Sequence, residues 1–227
     1  MSTPLSRELL PLNAGPTHDP LPRHDAGGSL RHLLRQSTHA EHAQLNRQPL
    51  LAGITQAGYP IEHYRLLLAA YMPFYQALEH AIGGFSQRSA VSFAYTPKLP
   101  WLLADLQHFG GGPDEVSSGP QLTSAVFEIN TLGQLLGVLY AVEGATLGGQ
   151  LIARQVAAHL GLKANAGARF FNGYGPQTAH RWEQFLVYLE VHGSDAVVRD
   201  QAVSAAKTTF SRVREVLDRY QADANVE

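Results

Sequence analysis

One histidine of this 227-residue chain sits at a spacing that could serve a metal. On a helix, residues four, seven and eleven positions apart share a face. Counted back from His42, those steps land on Thr38, Arg35 and Arg31, so one stripe carries an imidazole, a hydroxyl and two guanidinium groups. Arg35 would lie ~10 Å along the axis from His42 at the helical rise per residue. That separation suits a flat ligand with a metal at its centre and carboxylates at its edge. A neutral imidazole binds the metal and the arginines meet the carboxylates bidentately. The same pattern also describes an exposed polar face of an amphipathic helix, and His39, one of 11 histidines, is a nearby rival. Spacing leaves both readings open.

A second constellation lies in 131–160. Gly137, Ala141, Gly144 and Gly148 fall in one narrow sector of a helix there; Ala145 lies at the sector's edge and Gly149 follows Gly148 directly. Glycine inside a helix costs roughly 1 kcal/mol against alanine, so several on one face need a reason. Either another helix packs closely at the stripe or a flat ligand lies on the backbone, and Gly148-Gly149 would also permit a kink. A third group is the aromatic, glycine-rich loop Phe171-Asn172-Gly173-Tyr174-Gly175-Pro176, in which Tyr174 is a binding candidate shortly before Arg181.

The elements that must position these residues all read as helices. Apolar periodicity starts near Ser29 and predicts a helix over 29–47, stopping before Pro49. A second runs from about Pro60 to Ile82, closed by Gly83-Gly84 and kinked by the internal Pro73. A shorter helix follows Pro100 and ends at Gly110. Others cover about 131–160, terminated by Gly161, then 177–191 and 195–221. No stretch alternates with period two for long enough to suggest a sheet. The fold class is therefore all-α, one helical domain over 29–227, preceded by a Pro-, Gly- and His-bearing leader over 1–28 expected to be disordered.

Composition narrows the chemistry. The chain is 44% hydrophobic and 16% charged with a formal net charge of -2, so no global basic field gathers nucleic acid or anionic lipid. It contains no cysteine, which removes thiolate metal sites, iron–sulfur ligation and thiol nucleophiles. No uninterrupted apolar run reaches the ~18 residues of a membrane span, and no secretory signal is seen, so the cytoplasm is expected. There is no flavin or nicotinamide fingerprint. Glu62-His63 and Glu79-His80 are adjacent pairs, not the Glu-x-x-His motifs of a di-iron bundle.

Four segments resemble one family. Leu34-Arg35-Gln36-Ser37-Thr38-His39-Ala40-Glu41-His42 is similar to the proximal-helix motif of haem oxygenases, and Gly144-Ala145-Thr146-Leu147-Gly148-Gly149-Gln150 to their distal-helix motif. Ala77-Leu78-Glu79 and Ala206-Lys207-Thr208-Thr209-Phe210 also look like family segments, in the family's order. The wording Gly-Ala-Thr-Leu-Gly-Gly resembles the bacterial branch associated with bacteriophytochromes. The resemblance implies a single helical bundle with haem b, both substrate and cofactor, held between a proximal and a kinked distal helix. It implies His42 as iron ligand, in preference to His39, with Arg35 and Arg181 on the propionate side, Thr38 as a further haem-binding candidate of the proximal motif, and Phe210 near the ring. It implies Gly144, Gly148 and Gly149 as the small residues that let the distal helix approach, with Ala145 standing where many members carry an aspartate. The activity implied is opening of the ring at the alpha meso carbon to biliverdin, releasing CO and ferrous iron. Electrons would come from an external ferredoxin, flavodoxin or reductase, and a bacteriophytochrome is one potential biliverdin acceptor. The alternative kept open by Ala145 is a non-catalytic haem binder or carrier on the same scaffold.

Overall fold

The computed structural model describes residues 28–111 and 127–224, so all but Gly28 of the leader expected over 1–28 lies outside the described residues. The order of helices is α1 (Leu30–Ser37), α2 (His39–Asn46), α3 (Ile61–Arg88), α4 (Leu99–His108), α5 (Leu132–Leu160), α6 (Arg169–Asn172), α7 (Thr178–His192) and α8 (Ala196–Ala224), with a 3-10 turn at Gly175–Gln177. No named strand occurs among the described residues, and the all-α reading holds.

Helix α5 is the centre. Its most extensive neighbour is α8, and α6 and α7 cover other parts of it. Gly133 and Gly137 explain the first contact. A Cβ on Gly133 would lie 2.5 Å from the Val198 carbonyl oxygen, and one on Gly137 would collide with the Ala202 carbonyl of α8. This part of the glycine stripe therefore exists for close helix packing. Thr131 starts α5 with a capping box: its hydroxyl accepts from Gln134 N–H at 3.2 Å, and Gln134 Oε1 accepts from Thr131 N–H at 3.1 Å. Gly161 ends it in the left-handed region at φ 69°. By mean hydropathy α5 is long and apolar enough to cross a membrane, but 78% of its most apolar window is buried inside the protein.

The single helix expected over 29–47 is two. At Thr38 the backbone takes φ -101°, ψ 4°, and the hydroxyl donates to Leu34 C=O at 2.8 Å. A threonine hydroxyl bonded one turn back competes with the helical ladder and bends it. Thr38 is buried, so this local bond is sheltered from water. The start of α1 is fixed from afar as well: the Glu190 carboxylate of α7 accepts from Leu30 and Arg31 N–H at 3.1 and 3.0 Å.

Helix α3 runs through Pro73 and also through Gly83-Gly84, ending at Arg88 and not near Ile82 as expected. The extra turn buries Phe85, whose carbonyl accepts from Ser89 N–H. That burial outweighs the helix-breaking tendency of two glycines. Helix α4 carries Pro100 in its first turn and a buried Asp105. The Asp105 carboxylate accepts from Arg169 and Phe170 N–H at 2.7 and 2.8 Å, pinning the start of the short α6.

Candidate functional site

A largely apolar cavity opens between α2, α3, α5, α6 and α8, with about 980 Å³ of empty space including its mouth. His42 forms part of its wall, half-buried, and Phe210 meets the imidazole edge-on with ring centroids 5.7 Å apart at 88°. Burial lowers the His42 pKa, and exposed His39 adds to the effect, so the imidazole is neutral near pH 7. Asn46, one turn on, places its side-chain amide nitrogen 3.4 Å from His42 Nδ1, which leaves Nε2 as the nitrogen available to a ligand.

Gly144, Ala145, Gly148 and Gly149 also line the cavity. Their situations differ. A Cβ on Gly144 would meet only the Trp182 ring at an ordinary 3.5 Å, so nothing in the packing demands glycine there. At Gly149 a Cβ would lie 2.8 Å from the Phe171 carbonyl oxygen, so close approach of α6 is reason enough for that glycine. Ala145 contributes only a methyl. Close packing therefore accounts for Gly137 and Gly149 and not for Gly144.

The polar groups in the wall are mostly spent. Thr146 Oγ1 donates to Glu143 C=O at 2.6 Å and Thr209 Oγ1 to Ala205 C=O at 2.8 Å. Tyr140 and Tyr75 line the cavity too; burial raises the pKa of both phenols, that of Tyr75 well above its ordinary value, and at Tyr140 the Arg31 guanidinium, a hydrogen bond with Thr38 and the Arg35 guanidinium partly oppose this.

The remaining expected residues lie outside the wall. Arg35 is exposed and Thr38 is buried with its hydroxyl on Leu34 C=O, although both sit close enough to influence Tyr140. Arg181 is committed elsewhere: its Nη2 donates to Ala94 C=O at 2.8 Å and to Thr96 Oγ1 at 3.0 Å, with the guanidinium over the Tyr174 ring. Tyr174 OH in turn donates to Glu143 Oε1 at 3.0 Å. These two residues belong to a partly buried network next to the cavity.

That network centres on Lys98, which sequence reasoning missed. Lys98 lines the cavity and is 1% exposed; its Nζ lies 2.8 Å from Glu143 Oε1, itself 1% exposed. Burial lowers the Lys98 pKa, and the Glu143 carboxylate opposes that. One signal was available for Glu143, the one acid of a long and mostly apolar helix. Lys98 had none, because it comes from a loop 45 residues away. Among the described residues no group of three His, Cys, Asp or Glu gathers to hold a metal ion.

A family model described as "Heme oxygenase" matches residues 28–219. The chain belongs to the haem oxygenase family. The fold agrees. Heme oxygenase from Leptospira interrogans superposes at a TM-score of 0.73 with 17% identity, covering 85% of this chain and 100% of that one. The NO- and CO-bound heme oxygenase from Neisseria meningitidis gives 0.69 with 19% identity over 85% and 92%. A domain of unknown function with a heme oxygenase-like fold from Shewanella denitrificans gives 0.67 with 14% identity over 88% and 95%. A search of curated proteins finds no match. Within a haem oxygenase scaffold the cavity fits a haem on this chain's own features: a neutral histidine in an apolar wall, and an aromatic edge beside it.

Proposed function

We propose that this haem oxygenase family member binds haem b in the cavity through His42 and opens it oxidatively to biliverdin, with release of CO and ferrous iron. The observation that carries the reading is the half-buried, neutral His42 imidazole in the wall of an apolar cavity whose α5 side is made of Gly144, Ala145, Gly148 and Gly149.

Haem, as substrate, brings both the iron that activates oxygen and the meso carbon that is oxidised. The protein's share is positioning. Burial keeps His42 unprotonated and so a competent ligand. With Nε2 as the ligating atom, the ring proton resides on Nδ1, and a half-turn of the Asn46 amide presents Oδ1 to accept it, orienting the ring. Phe210 packs against the imidazole edge and limits its rotation. The absence of a Cβ at Gly144 lets a flat ring approach the α5 backbone, and Gly149 keeps α6 tight behind. Arg31 and Arg35, near Tyr140, are the cations placed to meet carboxylates at the ring edge and so to set its in-plane rotation. Attack at the alpha meso carbon is the outcome proposed, with electrons from an external ferredoxin, flavodoxin or reductase. Arg181 and Tyr174 act one step back, through the network around Glu143.

The test is haem titration of the wild-type protein and His42→Ala, followed by turnover with a reduced donor under oxygen and chromatography of the product. The wild type is expected to take up one haem with a histidine-ligated spectrum and to release biliverdin, chiefly the alpha isomer. An unaltered five-coordinate histidine spectrum in His42→Ala would overturn the ligand assignment. A second reading, a haem binder without turnover, is favoured by one feature: Ala145 brings no polar group to the wall. A Soret band unchanged after reduction and oxygen, with a competent donor present, would select it.

A further inference from the structure

Among the described residues, the polar side chains of the cavity wall nearly all have partners within the protein. Lys98 Nζ is held by Glu143, Thr96 and Tyr174, and Asn46 faces His42. The Thr146 and Thr209 hydroxyls donate to helix carbonyls, and Tyr140 is hydrogen-bonded with Thr38. The exceptions are the phenols of Tyr71 and Tyr75, one turn apart on α3 with ring centroids at 6.1 Å. Neither hydroxyl has a hydrogen-bond partner among the described residues, and neither is sealed in as the unpartnered Tyr188 hydroxyl is. Each therefore reaches open space, and the open space that both residues line is the cavity.

Their surroundings differ. Tyr71 packs on Phe170 and Phe171, and its hydroxyl is influenced by Tyr59. Tyr75 is only 5% exposed, its ring edge-on to Phe74 and Phe170. Its hydroxyl feels the carboxylates of Glu79 and of Glu143, the residue before Gly144 on α5. Both carboxylates are engaged elsewhere: Glu79 accepts from Tyr95 OH and from Lys98 and Leu99 N–H, Glu143 from Lys98 and Tyr174. Burial first, then Tyr71 and these two acids, hold the Tyr75 phenol protonated. A buried O–H donor without an acceptor costs free energy that a ligand can recover.

We propose that Tyr75 is the hydrogen-bond donor of this cavity, selecting small ligands on a bound haem by their strength as acceptors. The inference rests on the proposed haem site. Ala145 brings only a methyl to the wall, and Tyr140 and Thr146 are committed, so α5 offers no spare side-chain donor; α3 supplies one. A strong acceptor gains a hydrogen bond there, whereas CO, a weak acceptor, gains little. A phenol that only fills space would treat the two alike.

The experiment uses the full chain loaded with ferric haem and titrated with fluoride at fixed pH, and the ferrous form titrated with CO. In Tyr75→Phe the ring stays and the donor goes. Its fluoride dissociation constant should rise about tenfold while that for CO stays within about twofold. Tyr71→Phe removes an equally unpartnered hydroxyl one turn away and should leave fluoride within about twofold. Because the Tyr75 hydroxyl spends no hydrogen bond on the protein, Tyr75→Phe should keep the wild-type melting temperature. An unchanged fluoride affinity in Tyr75→Phe, or equal losses for fluoride and CO, overturn the inference. A loss in Tyr71→Phe as large as in Tyr75→Phe overturns the assignment to Tyr75, and a marked fall in melting temperature would show a structural role instead. A wild type that takes up no haem overturns the proposed function as well, whereas one that binds haem but shows no such selectivity on mutation overturns only this inference.

Discussion

Gly137 and Gly144 sit seven residues apart on one face of α5, and the space beside them differs. A methyl group at Gly137 collides with the Ala202 backbone of α8, which cannot yield without moving a helix. Gly137→Ala is expected to cost about 3 kcal/mol of stability by overpacking. Gly144→Ala meets only the Trp182 ring at 3.5 Å and gains helix propensity, so its melting temperature should hold or rise slightly. Its haem affinity should fall, because Gly144 lines the cavity in which the ring is proposed to lie. Thermal melts and haem titrations of the two variants check the contrast, and a loss of stability in both would assign the whole stripe to packing. Lys98 makes the complementary point about charge. Lys98→Met alone strands the buried Glu143 carboxylate and is expected to destabilise by about 3–5 kcal/mol, most of it recovered when Glu143→Gln is added. A double-mutant cycle in urea measures this.

Individual helices obeyed local signals where these were strong and yielded to packing where they were weak. The limits of α5 follow from Thr131 with Gln134 at one end and Gly161 at the other, both readable along the chain. Thr131→Ala removes the cap and should cost about 1 kcal/mol, a fall of about 2–4 °C in melting temperature for a chain of this size, with no change in haem affinity. Gly83-Gly84 gave a false stop because the burial of Phe85 was not visible locally. Thr38 gave no stop at all in the apolar pattern, yet its hydroxyl, bonded to Leu34 C=O, divides α1 from α2 and so sets the direction of the helix that carries His42.

At the scale of the whole molecule, buried carboxylates link stability to pH. Glu79 Oε1 accepts from Tyr95 OH and from the N–H groups of Lys98 and Leu99. Burial nevertheless raises its pKa, these hydrogen bonds offsetting only part of the effect. A carboxyl whose folded pKa is raised binds protons more tightly in the native state, so its contribution is full below the unfolded pKa and is lost as pH rises through the folded one. The stability of wild type relative to Glu79→Gln should therefore increase as pH is lowered from 7 toward 4.5, measured by urea unfolding at several pH values; a flat difference would mean ordinary acidity for Glu79. The helical class, the position of α5, and the pairing of His42 with a glycine-bearing helix were legible in the chain, because periodicity, caps and short motifs are local and each residue's chemistry travels with it. Tertiary structure alone decided that Gly137 and Gly149 serve packing while Gly144 faces the cavity, that Arg181 and Tyr174 stand outside the wall, and that Lys98 stands in it beside Glu143. Those outcomes depend on which distant segments meet, and a cation and a carboxylate 45 residues apart leave no spacing by which to find one another until the helices have packed.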